Sequence, residues 1–231
     1  MASVAYHGDS YILGQTGTVT FNGFSTSSAS IVPNDLVLIF YLTNGTGVPL
    51  SFSGTNNAPS LTRAFLESNN NGQGRIACFY GFATSNSSSP SYSGAAFDGL
   101  AGGIVLMGFI VKPSANRVMR IPTLESKEIV FAVPTNFSVS SVSALNSGDV
   151  LFGLGSVTKV ISGGSVVQDT DGTWGTLRIN SQGSGEGTAQ SKVTNGGTVE
   201  TYNGSIDNRD GLVALVSCRE QREDPHWGIL A

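Results

Sequence analysis

The sequence predicts an all-β protein built from two tandem β-sandwich or jelly-roll-like modules, and three observations predict it. Only 12% of the 231 residues are charged, against a usual ~25%, while 30 are Gly and the Ser, Thr and Asn content is high. Neutral polar turns of this kind suit an all-β surface, whereas helical bundles need Glu, Lys, Arg and Ala on their outer faces. Second, Leu36–Tyr41 is an unbroken apolar run behind the turn residues Asn34-Asp35. It is β-branched and aromatic and too short for a globular helix, so it reads as a buried central strand. Third, landmarks recur: Asp35 and Asp149 each open an apolar strand, and Asp98-Gly99-Leu100 and Asp210-Gly211-Leu212 each precede another. The first pair lies 114 positions apart (149 less 35) and the second 112 (210 less 98), the mark of a duplicated module.

Taken in order, residues 1–16 have no clear period but carry Tyr6, Tyr11, Ile12 and Leu13, too apolar for a free tail, and read as an arm packed on something. Strands are expected at Thr18–Phe21, Leu36–Thr43, Val48–Phe52, Leu61–Leu66 and Arg75–Phe82, with a short edge strand at Ser91–Ser93 and a closing strand at Gly103–Val111. This places the first module at 1–112. Pro113, Ser114 and Asn116 break the pattern, so 113–120 reads as a linker and 121–231 as the second module. There Ile121–Glu128 reads as a crossing segment. Strands follow at Ile129–Val133, Phe137–Leu145, Val150–Val157, Ser165–Gln168, Gly175–Ile179, Thr188–Val193, Thr198–Tyr202 and Leu212–Ser217. Gly163-Gly164, Asp171-Gly172, Asn195-Gly196 and Asn203-Gly204 are hairpin signals. Arg219–Asp224 is a charged stretch expected to be solvated and outside the core, and Pro225 to Ala231 forms an apolar-rich tail.

A net charge of −4 and a pI near 5.1 argue against nucleic acid, which calls for clustered Lys and Arg. No stretch reaches membrane-spanning length, and the N-terminus lacks the basic and apolar regions of a secretory signal. Cys78 and Cys218 read as buried thiols, with a disulfide as the alternative.

Chemistry is sparse. His7 and His226 lie in terminal segments, neither in a nucleophile-elbow context. No Cys/His cluster has zinc spacing. Gly183–Gly187 lacks the Lys-Ser/Thr ending of a phosphate loop. Gln168–Gly172 carries two alternate carboxylates but not the remaining ligands of a calcium loop. Glu67, Asp98, Glu186 and Asp210 are too scattered for a glycosidase pair. Asp35, Asp149, Asp98 and Asp210 recur by repeat position and read as turn caps. The expectation is a protein that is not an enzyme, with no catalytic residue, metal or cofactor. Sugar binding stays open through Asn56-Asn57, Tyr92, Trp174 with Asp171, and Tyr202-Asn203. Candidate partner-binding residues are the apolar ones of the two termini: Tyr6, Tyr11, Trp227, Ile229 and Leu230. Trp227 is the expected anchor of a docking tail, because Trp is enriched at interfaces; the alternative is a tail folded back on its own sandwich.

A Gly/Asn-Asp apolar strand, the aromatic-rich Ile76–Thr84, the loop Ser89-Pro90-Ser91-Tyr92 and the Gly/Ala-rich Ala101–Phe109 follow one another in a layout similar to β-sandwich modules of tailed-bacteriophage virion proteins, including head-decoration and tail-appendage proteins. The resemblance covers residues 27–112. The second module keeps the first and last strands and departs around Asp169–Gln190. The resemblance implies a structural virion protein, assembled in the host cytoplasm, and carries no site residues across. It implies a capsid decoration or cement protein that binds the capsid or another virion protein, and a homo-oligomer, with a trimer expected from three-fold virion positions. The alternative is a carbohydrate- or receptor-binding module of a tail or fibre protein.

Overall fold

A computed structural model of the chain describes every residue except 14–16, 44–46, 70–73, 98–102, 131–134, 159–165, 168–173, 183–184, 207–209 and 223–231. The first half contains β1 (Ser3–Leu13), β2 (Gly17–Phe21), the helical turn α1 (Gly23–Thr26), β3 (Ser30–Ile31), β4 (Leu36–Thr43), β5 (Ser51–Gly54), β6 (Leu61–Ser68), β7 (Arg75–Phe82), β8 (Ser87–Ser88), β9 (Tyr92–Phe97) and β10 (Gly103–Lys112). Eight of these strands form one curled antiparallel sheet in the order β1-β10-β4-β7-β6-β5-β9-β2, and β3 pairs with β8. A short β11 (Arg117–Met119) follows. The second half contains β12 (Thr123–Val130), β13 (Thr135–Ser140), β14 (Val150–Thr158), β15 (Val166–Val167), β16 (Arg178–Gln182), β17 (Gly185–Val193), β18 (Thr201–Ile206), β19 (Gly211–Cys218) and β20 (Glu220–Arg222).

The protein is all-β, and its two halves share one strand order. The series β1-β10-β4-β7-β6 corresponds to the five-stranded sheet β12-β19-β14-β17-β16, and β2-β9-β5 corresponds to the three-stranded sheet β13-β18-β15. Numbering eight strands through each half gives 1-8-3-6-5 facing 2-7-4, a jelly-roll arrangement. The halves differ where Ser51 pairs with Thr62: this joins β5 to β6 and makes the first roll one continuous sheet.

Strand alternation explains the apolar runs. In β4 all eight residues are buried. Leu36, Leu38, Phe40 and Leu42 face one cluster, while Val37, Ile39 and Tyr41 face another with Phe21, Phe52 and Phe79 inside the first roll. The same split occurs in β14 and β19. Leu151, Val213 and Leu215 point to Phe137 and Tyr202 inside the second roll, and Val150, Phe152, Leu154, Leu212, Ala214 and Val216 point the other way. These outward sets of the two halves meet. The central cluster therefore draws on both halves, and the four sheet layers stack in series. Each such strand is buried on both faces, which requires near-continuous apolar sequence. Leu151 sits inside the second roll, and Leu38 sits in the cluster that both halves share.

Several expectations change. The N-terminal arm packs on its own chain: β1 pairs with β10 from Ser3↔Lys112 to Leu13↔Gly103, with a bulge between Tyr6 and Asp9. β9 lies between β5 and β2 and is not an edge. Ile121–Glu128 is mostly strand, because Thr123–Val130 pairs with β19. Val48–Leu50 lies outside the strand, which starts at Ser51. Asn203-Gly204 is inside β18 and not at a turn. Of the stretch Arg219–Asp224, Glu220 is buried and β20 pairs with β11, so the expected linker carries a strand of its own; Glu223 and Asp224 lie outside the described residues. Both cysteines are free and buried.

Candidate functional site

The two Asp-led turns are built alike and lie at one end of the molecule. Asn34 and Gly148 adopt positive φ (73° and 94°), conformations that Asn and Gly tolerate. Asp35 Oδ2 accepts from the amide of Val32 at 2.9 Å, and Asp149 Oδ2 from the amide of Asn146 at 2.8 Å, both three residues back. Of the four caps anticipated from the repeat, those at Asp35 and Asp149 form, and Asp98 lies outside the described residues. The Lys112 ammonium donates to Asp35 Oδ2 at 2.8 Å. Two residues on, Ser114 Oγ donates to Glu220 Oε2 at 3.0 Å, and the Glu220 amide donates to Asp149 Oδ1 at 2.7 Å. A polar chain thus runs from the cap of one roll to the cap of the other.

The opposite ends of β4 and β14 also meet, where buried Ser156 Oγ donates to the Thr43 carbonyl at 3.1 Å. The rolls therefore stand side by side with the same polarity. Further contacts cross the seam: Lys127 with Glu67, Asn180 with Asp9, and the Arg178 guanidinium 4.6 Å from the centre of the Tyr6 ring.

At the end that holds the caps, β11, β20 and the start of β12 frame a groove of about 470 Å3 lined by Phe82, Met119, Arg120, Ile121, Arg219 and Gln221. Its floor is apolar. Met119 is buried, but Phe82 and Ile121 are 37% and 53% exposed, unusual for such side chains beside one another. Its rim carries two arginines, of which Arg219 is ion-paired with Glu125. Arg120 Nε donates to the neutral Gln221 Oε1 at 2.8 Å. Arg219 donates to Glu125 Oε1 at 2.9 Å and to Ser143 Oγ at 3.0 Å. Burial raises the Glu125 pKa, but hydrogen bonds from Ser217, Arg219 and the Val142 amide outweigh it and hold the carboxyl below the ordinary glutamate value.

A second cleft of about 340 Å3 lies at the seam, lined by Tyr6, Phe109, Thr176, Arg178, Ser191 and Lys192 among others. Burial, then the hydrogen bond and charge of Asp9, push the Tyr6 phenol up.

Of the partner-binding candidates, Tyr6 is half-buried against Phe109 with ring centres 5.4 Å apart, and Tyr11 packs over Gly103, so both face their own chain. Trp227, Ile229 and Leu230 lie outside the described residues, as do Asp98, Asp169, Asp171 and His226. The sugar-platform candidates Tyr92, Trp174 and Tyr202 are buried core residues and offer no open ring face; Asn56 and Asn57 are exposed at positive φ. Asn203 is also exposed, on β18. Glu67 holds Lys127, and Glu186 is buried. His7 Nδ1 lies 3.1 Å from Ser27 Oγ. Burial, then the Lys112 charge, lower its pKa. Among the described residues no three His, Cys, Asp or Glu side chains gather as a metal site, and no helix is long and apolar enough to cross a membrane.

Sequence reading missed the groove because its residues come from three separated stretches. The available signal was Met119 and Ile121 flanking Arg120 in a segment with no hydrophobic face of its own. Comparison with family models, with curated proteins and with solved structures finds no match.

Proposed function

We propose that the chain is a non-enzymatic structural protein of a virion, assembled in the host cytoplasm, and that it decorates a phage capsid as a homo-oligomer of the trimeric kind. One observation carries this reading: two jelly rolls of one strand order stand side by side with equal polarity, fused through a hydrophobic face. Jelly rolls recur in viral capsid proteins and in lectins. The step from fold to role is an analogy, and the apolar, arginine-rimmed end face supports it as a surface for another protein.

The test is the copy number of the chain in purified particles. The reading expects a fixed, stoichiometric ratio to the major shell protein. Absence from particles that were assembled while the chain was being expressed contradicts it.

The seam cleft supports a second reading, a carbohydrate- or receptor-binding module of a tail or fibre protein. Tyr6, Arg178, Ser191 and Lys192 would supply a ring edge, donors and positive charge to an acidic sugar. Retention on a glycan array that is lost in Arg178→Ala favours this reading over decoration.

A further inference from the structure

We propose that the arginine-rimmed groove receives the C-terminal segment, residues 223–231, of a second copy of this chain. The inference rests on the homo-oligomer in the reading above and deepens it; the particle copy number tests the virion role separately.

Four observations lead to it. The groove is amphipathic: Phe82, Met119 and Ile121 form its floor, and Arg120 and Arg219 its rim. The segment that follows β20 has complementary chemistry. It begins with two carboxylates, Glu223 and Asp224, and continues with Trp227, Ile229 and Leu230. The strand register sets the direction. β20 runs antiparallel to β11 with Met119↔Glu220 and Arg117↔Arg222, so the chain leaves Arg222 on the Arg117 side, away from Ile121 and Thr123. Entry into its own groove therefore requires the chain to turn back beyond Arg222. Finally, the volume of about 470 Å3 lies within the ~300–1,000 Å3 of ordinary recognition sites and can admit an aromatic anchor.

A segment from one copy in a groove of the next is a heterologous contact, which builds a ring where the rotation between copies closes and an open filament where it does not. Closure after three copies gives the trimer proposed above.

The experiment uses two full-length variants. Ile121→Asp spoils the groove at a half-exposed position and leaves the segment intact. Trp227→Ser with Leu230→Ser spoils the segment and leaves the groove intact. Light scattering should show a closed oligomer for the original chain at tens of micromolar, and monomers for each variant alone. The two variants mixed should form a 1:1 heterodimer and nothing larger, because only one groove and one segment remain functional. Circular dichroism confirms that each variant is folded; if Ile121→Asp is not, Arg120→Glu replaces it. A monomeric original chain, or variants that stay monomeric when mixed, overturns the proposal, including the case in which the segment folds into the groove of its own copy.

Discussion

The rings of Phe40 and Phe152 lie 4.9 Å apart, centroid to centroid, across the boundary between the two halves of the chain. Phe109 completes the set at 5.7 Å from Phe40 and 5.0 Å from Phe152, both edge-on. Offset and edge-on aromatic pairs add to the stabilisation that burial alone provides. Because the pairs link strands from different rolls, they tie the stability of one roll to the presence of the other. Phe152→Ala should therefore cost about 3–5 kcal/mol in denaturant unfolding. The double variant with Phe40→Ala should fall short of the sum of the two, since the residues touch. Strict additivity would mean that the rings do not share a cavity.

Gly153 lies beneath Tyr202, where an added Cβ would come within 2.6 Å of three ring atoms. The ring is fully buried in the second roll and cannot swing into solvent. Gly153→Ala should lower stability by about 1–3 kcal/mol through overpacking. An unchanged urea midpoint would show that the ring does not rest there.

The twin caps are alike in geometry but not in surroundings. Asp149 satisfies two backbone amides, of Asn146 and Glu220, and is wholly buried. Asp35 satisfies one backbone amide and the Lys112 ammonium, whose side chain is 45% exposed and can turn to water. A buried donor left unpaired costs about 1–3 kcal/mol. Asp149→Ala should therefore destabilise more than Asp35→Ala, which thermal unfolding of the two variants will rank.

Glu125 sets a pH dependence. Its folded pKa lies below its ordinary value, so the unfolded chain takes up its proton first as pH falls. The stability contributed by the carboxylate is fully present above the unfolded pKa, about 4.3 for a glutamate, and is lost as pH drops through the folded pKa. Glu125→Gln should melt lower than the original chain at pH 7, and the gap should narrow below about pH 4. A gap independent of pH would assign the carboxylate a purely steric role.

How much was legible follows from what each strand touches. Leu36–Thr43 and Arg75–Phe82 were readable to the residue, because burial on both faces leaves an uninterrupted apolar run between polar turns. The caps were readable because a carboxylate before such a run has few other uses. β1 was not, since the bulge at His7 and Gly8 breaks the two-residue period. β11 and β20 are three residues each and mostly polar, and they are strands only because they meet. The identity of the partner sheet was the deeper omission. Periodicity tells that Leu38 is covered, but not that Phe152 and its neighbours from the other half cover it. The groove was hidden for the same reason, since Phe82, Ile121 and Gln221 are neighbours only once the rolls are fused.

The central claim is that the two jelly rolls form one cooperative body through a shared core. Differential scanning calorimetry of the full chain tests it most directly. A single transition whose calorimetric and van't Hoff enthalpies agree is expected, and Phe152→Ala should shift that transition as a whole. Two resolved transitions in the original chain, with Phe152→Ala moving only one of them, would contradict it.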